Sequence, residues 1–152
     1  IGSKYPSDGE RPLTSNGRKR VEQSTEGIVA IGVVVKKVIS SPFVRARQTA
    51  EIVHASLGVT TDIEFSEALP TGDIAGIVAA VEANMQHENV MLVGHEPTLS
   101  RLFSVLASGA PDTAFSLEPG GLCKLALDTI ELDQCGTIRW FLAPEQLVAL
   151  GA

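Results

Sequence analysis

Twice in this chain, a short strand-forming run ends and a helix signal follows within a few residues. Residues 33–39 are β-branched apart from two lysines, which favours a strand. Residues 89–93 (NVMLV) form a short apolar run that is typical of a strand buried on both faces. Strands that alternate with helices predict an α/β sandwich, with helices on both faces of a mostly parallel central sheet.

The other elements are predicted from end signals and periodicity. Thr14 is a suitable N-cap for a helix over residues 15–30, although Gly17 and Gly27 weaken that prediction. Ser41 as N-cap and Pro42 at the first helical position predict a second helix, which reaches about residue 57. We expect further helices after Asp73, over 99–106 and over 144–150, a short strand at 63–65, a loop at 67–73, and an antiparallel edge formed by strands 122–127 and 137–142.

Length and composition restrict the class of protein. The 152 residues are 44% hydrophobic and 20% charged, which predicts a single globular domain over 1–152. A net charge of -6 argues against a nucleic-acid partner, and no apolar run reaches the roughly 20 residues of a membrane span. Cys123 and Cys135 form no disulfide framework, so we expect reduced thiols and a cytoplasmic location.

Arg45 lies where a helix start and a strand end are predicted to meet. Ligands of open α/β sheets bind beyond the carboxyl ends of the strands. The start of a helix carries partial positive charge, so an arginine there is unfavourable unless an anion lies beside it. Phosphate suits the forked guanidinium and the free N–H groups of the helix end. The alternative is an ordinary pairing of Arg45 with a carboxylate.

His95 follows the second buried run in the same way. Gly94 before it permits a close approach of the backbone, and Pro97 after it is expected to open the next helix. This arrangement predicts that the imidazole is directed toward the same strand ends as Arg45. The alternative is a histidine that only makes a structural hydrogen bond.

The remaining candidate residues are expected to be structural. Arg47 can pair with Glu51 four residues later on the same helix. His54 falls within that helix and His87 within a polar loop, so both are expected to be surface or structural residues. The histidines and cysteines are scattered without ligand spacing, and we therefore predict no metal and no cofactor.

Four stretches together resemble a known family. They are ERPLTSNGRKR (10–20), SSPFVRARQTAEIV (40–53), ALPTGD (68–73) and VMLVGHEPTLS (90–100). They are similar, in order, to the SixA-type phosphohistidine phosphatases of the histidine phosphatase superfamily. The resemblance implies a phosphoglycerate mutase-like fold, a three-layer sandwich around a mostly parallel sheet.

The resemblance also implies site residues. The family uses a nucleophilic histidine in an Arg-His-Gly motif at the end of the first strand, within a pocket of two arginines and two histidines. By motif match, Arg45 would be the second pocket arginine and His95 the second pocket histidine, both catalytic and phosphate-binding. No Arg-His dipeptide occurs in the 152 residues. We expect the nucleophile and its strand to lie upstream of Ile1; the alternative is a divergent, non-catalytic phosphate-binding module.

The function implied by the resemblance is hydrolysis of protein phosphohistidine, on a histidine phosphotransfer protein or a phosphotransferase carrier. No large insertion is evident that would cover the pocket, which favours a bulky protein substrate over a small metabolite. The alternative is a broad phosphomonoesterase for small phosphorylated substrates. Glu67 matches the loop where ester-cleaving relatives carry a general acid, although we favour an ordinary loop carboxylate. Asp8 and Glu10 are expected near the pocket from their position alone.

Overall fold

The computed structural model describes residues 4–112 and 115–152. In the described chain, the helices are α1 (Ser15–Ala30), α2 (Val44–Ser56), α3 (Ala68–Thr71), α4 (Ile74–Glu82), α5 (Thr98–Ser108) and α6 (Pro144–Gly151), and the strands are β1 (Lys37–Ser40), β2 (Glu64–Phe65), β3 (Val90–Val93), β4 (Leu122–Leu127) and β5 (Gly136–Leu142). The first three strands form a parallel sheet in the order β2-β1-β3. None of the described helices is both long enough and apolar enough to cross a lipid bilayer.

Helices cover both faces of the parallel sheet. Consecutive residues of a strand point to opposite faces, and the fully buried Val38 and Ile39 of β1 therefore enter different cores. Val38 packs in one cluster with Ala50 of α2. Ile39 packs in the other cluster with Ile77 of α4 and Leu102 of α5. The predicted sandwich with helices on both faces of a parallel sheet is thus confirmed.

Helix α1 has the predicted bounds, and its weak residue has a packing role. The hydroxyl of Thr14 accepts a hydrogen bond from the Gly17 N–H at 2.9 Å, as expected of an N-cap. Gly27 lies directly against α6, where an added Cβ would be 1.9 Å from the carbonyl oxygen of Leu147. The glycine that disfavours the helix by propensity therefore permits the close contact of α1 with α6.

The β4–β5 pair is antiparallel, as predicted, but it forms a two-stranded sheet of its own among the described residues. A cavity of about 1100 Å³ lies between it and the parallel sheet, lined by side chains of β3, α5 and β4. The antiparallel pair and β3 therefore lie on opposite sides of a cleft that is partly open to solvent.

Three local predictions need correction. The strand expected within residues 33–39 is the shorter β1, Lys37–Ser40. Helix α2 begins at Val44, with Phe43 in the N-cap position, so the predicted start at Ser41 and Pro42 was wrong by two residues. The hydroxyl of Ser41 still accepts a hydrogen bond from the Phe43 N–H, at 3.2 Å. The predicted loop at 67–73 contains the one-turn helix α3, which Gly72 ends in a left-handed conformation (φ 72°) that suits glycine.

Candidate active site

The site lies at the carboxyl ends of β1 and β3, where two short loops meet. Ser40 of β1 is in register with Val93 of β3, so the residues that follow each strand emerge side by side. Nε2 of His95 consequently lies 2.7 Å from the hydroxyl oxygen of Ser41. Gly94 suits this packing, because a Cβ there would be 3.0 Å from the side chain of Leu69, which would have to shift slightly.

Phe43 connects the two residues that the sequence analysis selected. The centroid of its ring is 5.0 Å from that of the His95 imidazole, and the rings are tilted by 54°. The guanidinium carbon of Arg45 lies 5.3 Å from the same Phe43 centroid. Arg45 and His95 therefore lie against one aromatic ring. Sequence reasoning missed Phe43; the available signal was an aromatic residue in the loop just before the helix.

Arg45 holds an anion in this structure, and the anion is a carboxylate of the chain itself. Its Nη2 is 3.0 Å from Oδ2 of Asp8, and its Nη1 donates to the backbone oxygen of Asp8 at 2.9 Å. The other carboxylate oxygen of Asp8 is 3.1 Å from Nη2 of Arg11. The pairing matches the alternative considered for Arg45, and it places Asp8 at the site, as its position suggested. The guanidinium at this helix start thus binds a carboxylate oxygen through Nη2 and a backbone carbonyl oxygen through Nη1.

The surroundings of His95 favour a neutral ring. Burial lowers the pKa of His95 below its usual 6.5, because the charged form loses solvation. The positive charge of Arg45 lowers this pKa further, whereas the negative charge of Asp8 raises it. A neutral imidazole has one donor nitrogen and one acceptor nitrogen, so the partner at Nε2 decides which nitrogen can donate.

Comparisons with known proteins give the family. The sequence model of the histidine phosphatase superfamily (branch 1) matches residues 3–70. The phosphohistidine phosphatase SixA of Escherichia coli is 30% identical over 144 residues, covering 91% of this chain and 84% of that protein. The chain belongs to the histidine phosphatase superfamily. An uncharacterised protein of Picosynechococcus is also similar, at 32% identity over 124 residues, which are 80% of this chain and 74% of that protein.

A solved structure supports the same assignment. The structure of a protein histidine phosphatase SixA complexed with tungstate superposes with a TM-score of 0.81 at 28% identity, covering 96% of this chain and 92% of that one. The predicted resemblance to SixA-type members of the superfamily and the phosphoglycerate mutase-like fold class are thereby confirmed. Membership in the histidine phosphatase superfamily supports a phosphatase activity for this chain.

Two carboxylates that the sequence analysis considered lie apart from the Arg45 guanidinium contacts. Glu67 is exposed in the N-cap position of α3, and within the described chain its carboxylate makes no hydrogen bond or ion pair. Glu10 accepts a hydrogen bond from the hydroxyl of Ser7 at 3.3 Å. A general-acid role for Glu67 therefore stays a prediction that no observed contact supports.

The residues expected to be structural do make local contacts. Nε of Arg47 is 3.5 Å from a carboxylate oxygen of Glu51, so the predicted ion pair is confirmed. Nε2 of His54 is 2.7 Å from the backbone oxygen of Thr61. Both cysteines are free thiols, and no cluster that could hold a metal ion occurs in residues 4–112 or 115–152.

Gln48 is a residue that sequence reasoning passed over. Its side-chain oxygen accepts a hydrogen bond from the backbone N–H of Leu13, at 2.8 Å. This bond joins the RPLT segment that precedes α1 to the QTA segment of α2. Two of the four stretches that carry the family resemblance are therefore held together by a direct contact, although 35 residues separate the two partners.

Proposed function

We propose that this protein is a phosphatase that hydrolyses phosphohistidine on a protein, through a phosphohistidine intermediate on the enzyme. The observation that carries the proposal is the convergence of Arg45 and His95 on the ring of Phe43. Both residues follow parallel strands at the edge of the sheet where α/β proteins bind ligands. A cation and a hydrogen-bonding imidazole in this position suit a phosphoryl group.

The proposed reaction has two steps. First, the N–P bond of the substrate breaks while an N–P bond to a nucleophilic histidine of the enzyme forms. Water then attacks phosphorus, the second N–P bond breaks, and inorganic phosphate leaves. Arg45 would hold two phosphoryl oxygens with its forked N–H groups, and His95 would donate a hydrogen bond to another. Catalysis of this kind depends on positioning and on stabilisation of charge.

The loops around the site favour a bulky substrate. Residues 41–43 join β1 to α2, and residues 94–97 join β3 to α5. Loops of three and four residues are too short to fold over a bound molecule. With short loops on these two sides, a phosphorylated side chain on the surface of another protein could reach the site. We therefore propose a histidine phosphotransfer protein or a phosphotransferase carrier as the partner; a cytoplasmic location stays a prediction from the cysteines.

The cavity beside β3 supports a proposal about the nucleophile and the domain. Within residues 4–112 and 115–152, β3 ends the parallel sheet and one edge of β4 has no partner strand. Both strands line the 1100 Å³ cavity. Unpaired strand edges accept a further strand through backbone hydrogen bonds. We propose that a strand preceding Ile1 completes the single domain there. If it ran parallel to β3, its carboxyl end would bring the Arg-His-Gly histidine next to Gly94 and His95.

The function is tested with the protein carrying its native upstream residues, on a phosphohistidine-labelled phosphotransfer protein. Loss of one oxyanion donor typically lowers a rate by about 10²–10³-fold, and we expect this of Arg45→Ala and of His95→Ala. Arg47→Ala and His87→Ala are matched controls, because Arg47 pairs with Glu51 and His87 contacts Gln86. Both controls should hydrolyse the substrate at the wild-type rate.

Other outcomes would replace the proposal. Equal activity of Arg45→Ala and wild type would contradict the assigned role. Rapid turnover of sugar phosphates with none on phosphohistidine would favour the small-molecule phosphomonoesterase. Tungstate serves as a probe of the pocket, because the related SixA structure contains it. Binding of tungstate without hydrolysis of any phosphorylated substrate, together with an upstream sequence that lacks Arg-His-Gly, would favour the non-catalytic binding module.

A further inference from the structure

The hydroxyl of Ser41 lies in hydrogen-bond contact with His95. Ser41 is completely buried at the carboxyl end of β1. Its backbone N–H donates to the carbonyl oxygen of Val93 at 2.9 Å, which ties it to the strand that leads into His95. Its side-chain oxygen accepts from the Phe43 N–H at 3.2 Å and lies 2.7 Å from Nε2 of His95. These contacts place the hydroxyl between the Phe43 N–H and the imidazole of His95.

The hydrogen-bond partners of the Ser41 hydroxyl favour one tautomer of the His95 imidazole. Phe43 N–H and His95 Nε2 are the polar neighbours of the Ser41 hydroxyl within the described chain. If Nε2 of His95 carried the proton, both contacts would donate to Ser41, and its own O–H would have no acceptor among the described residues. A buried donor without an acceptor carries the full cost of its desolvation. If Ser41 donates to an unprotonated Nε2, every one of these groups is satisfied.

We propose that Ser41 is a positioning residue, whose hydroxyl donates to Nε2 of His95 and fixes the neutral ring as the Nδ1–H tautomer. Nδ1–H is then the nitrogen left to donate to an oxyanion, since no described residue hydrogen-bonds to it. The ring can donate to a phosphoryl oxygen without first gaining a proton, a step that rests on the proposed function. The lowered pKa of His95 agrees with a neutral ring.

The adjacent Ser40 provides a matched control. It is also completely buried, but its hydroxyl donates to the backbone oxygen of Ser41 at 2.9 Å and not to His95. Ser40→Ala therefore removes a buried serine hydroxyl one residue away and leaves the contact to the imidazole in place. Ser41→Ala removes that contact, and Ser41→Thr retains a hydroxyl at the same position.

The test reads the tautomer directly from the imidazole ¹⁵N chemical shifts of His95. We expect a protonated Nδ1 and an unprotonated Nε2 in the wild type and in Ser40→Ala. In Ser41→Ala, the tautomer ratio should move toward Nε2–H by about tenfold, the size of one typical hydrogen bond. Phosphohistidine hydrolysis should fall by a similar factor at each pH, and Ser41→Thr should restore both readouts.

Two results would overturn the positioning role. One is a wild-type spectrum with the proton on Nε2, which decides the matter even if Ser41→Ala fails to fold. The other is an unchanged tautomer ratio in a folded Ser41→Ala. If the ratio shifts as expected while neither wild type nor variant hydrolyses phosphohistidine, the positioning role is upheld and the proposed function fails. The two proposals are therefore separable.

Discussion

Replacing Gly27 by alanine tests the contact of α1 with α6. We expect the change to lower the free energy of unfolding, whereas helix propensity alone predicts an increase. In an exposed helix, the change from glycine to alanine stabilises by about 1 kcal/mol. Here, an added Cβ would lie 1.9 Å from the Leu147 carbonyl oxygen, whereas ordinary contacts begin at 3.4 Å. The two backbones would have to move apart by roughly 1.5 Å, because a carbonyl group cannot rotate away as a side chain does.

The magnitude follows from what that separation disturbs. An extra methyl group in a packed interface costs about 1–3 kcal/mol. The separation also exposes part of Leu147, which is completely buried and contributes about 1.5–3 kcal/mol by its burial. After subtraction of the helix-propensity gain, the free energy of unfolding should fall by about 2–4 kcal/mol.

The assay is urea denaturation followed by the fluorescence of Trp140, the single tryptophan of the sequence. With a slope of about 1–3 kcal/mol/M, the expected loss lowers the midpoint by about 1 M or more. Asn16→Ala is the control, since Asn16 is exposed in the first turn of the same helix and should change stability by less than about 0.5 kcal/mol. A midpoint for Gly27→Ala at or above that of the wild type would refute the reasoning.

Four further predictions concern the site and the thiol of Cys123. Asp8→Asn should raise tungstate affinity by up to about fivefold. The Asp8 carboxylate competes with the anion for Arg45, and a solvent-exposed ion pair of this kind contributes up to about 1 kcal/mol. Weaker binding would show that Asp8 assists the anion. The same variant should lower the pKa of His95 further, and Arg45→Gln should raise it, both measured by NMR titration. Because the folded-state pKa of His95 lies below the unfolded value of 6.5, the unfolded state binds more protons as the pH falls through 6.5. The urea midpoint should therefore fall as the pH is lowered across this range, and it should fall less steeply in His95→Asn than in the wild type. An equal pH dependence in the two proteins would contradict the lowered pKa of His95. Burial raises the pKa of Cys123 to about 11, so its alkylation at pH 8 should be far slower in the native protein than in urea; equal rates would show that the thiol is accessible.

The parts of the fold that the sequence predicted are those specified by neighbouring residues. The helix over 15–30 depends on a threonine cap, and α4 on the side chain of Asp73, which accepts from the Gly76 N–H at 3.0 Å. The buried strand at 90–93 depends on an apolar run of the right length. Each of these signals spans a few residues, so pattern reasoning detects it.

The parts that were missed depend on contacts between distant residues. Ser41 and Pro42 have the local features of a helix start, but the Ser41 hydroxyl also contacts His95, 54 residues later, and α2 begins at Val44. The carboxylate beside Arg45 comes from Asp8, 37 residues earlier. Sequence position suggested that Asp8 lies near the site, but no local pattern identifies the partner of a particular guanidinium.

The late start of α2 explains how one tripeptide serves two site residues. With the helix beginning at Val44, residues 41–43 stay extended enough for Ser41 to reach His95 and for Phe43 to contact both His95 and Arg45. A helix that began at Pro42 would form its first turn from the residues that now make these contacts. The departure from the expected cap is therefore part of the construction of the site.

The register of β1 against β3 then controls the geometry of the chemistry. Ser40 opposite Val93 places the Ser41 hydroxyl 2.7 Å from Nε2 of His95. A slip by one residue would move Ser41 along the strand by about 3.3 Å, more than the hydrogen bond can span. The same slip would exchange the faces of Val38 and Ile39, each completely buried against a different helix layer. Apolar burial in the two cores therefore fixes the polar contact at the end of the strand.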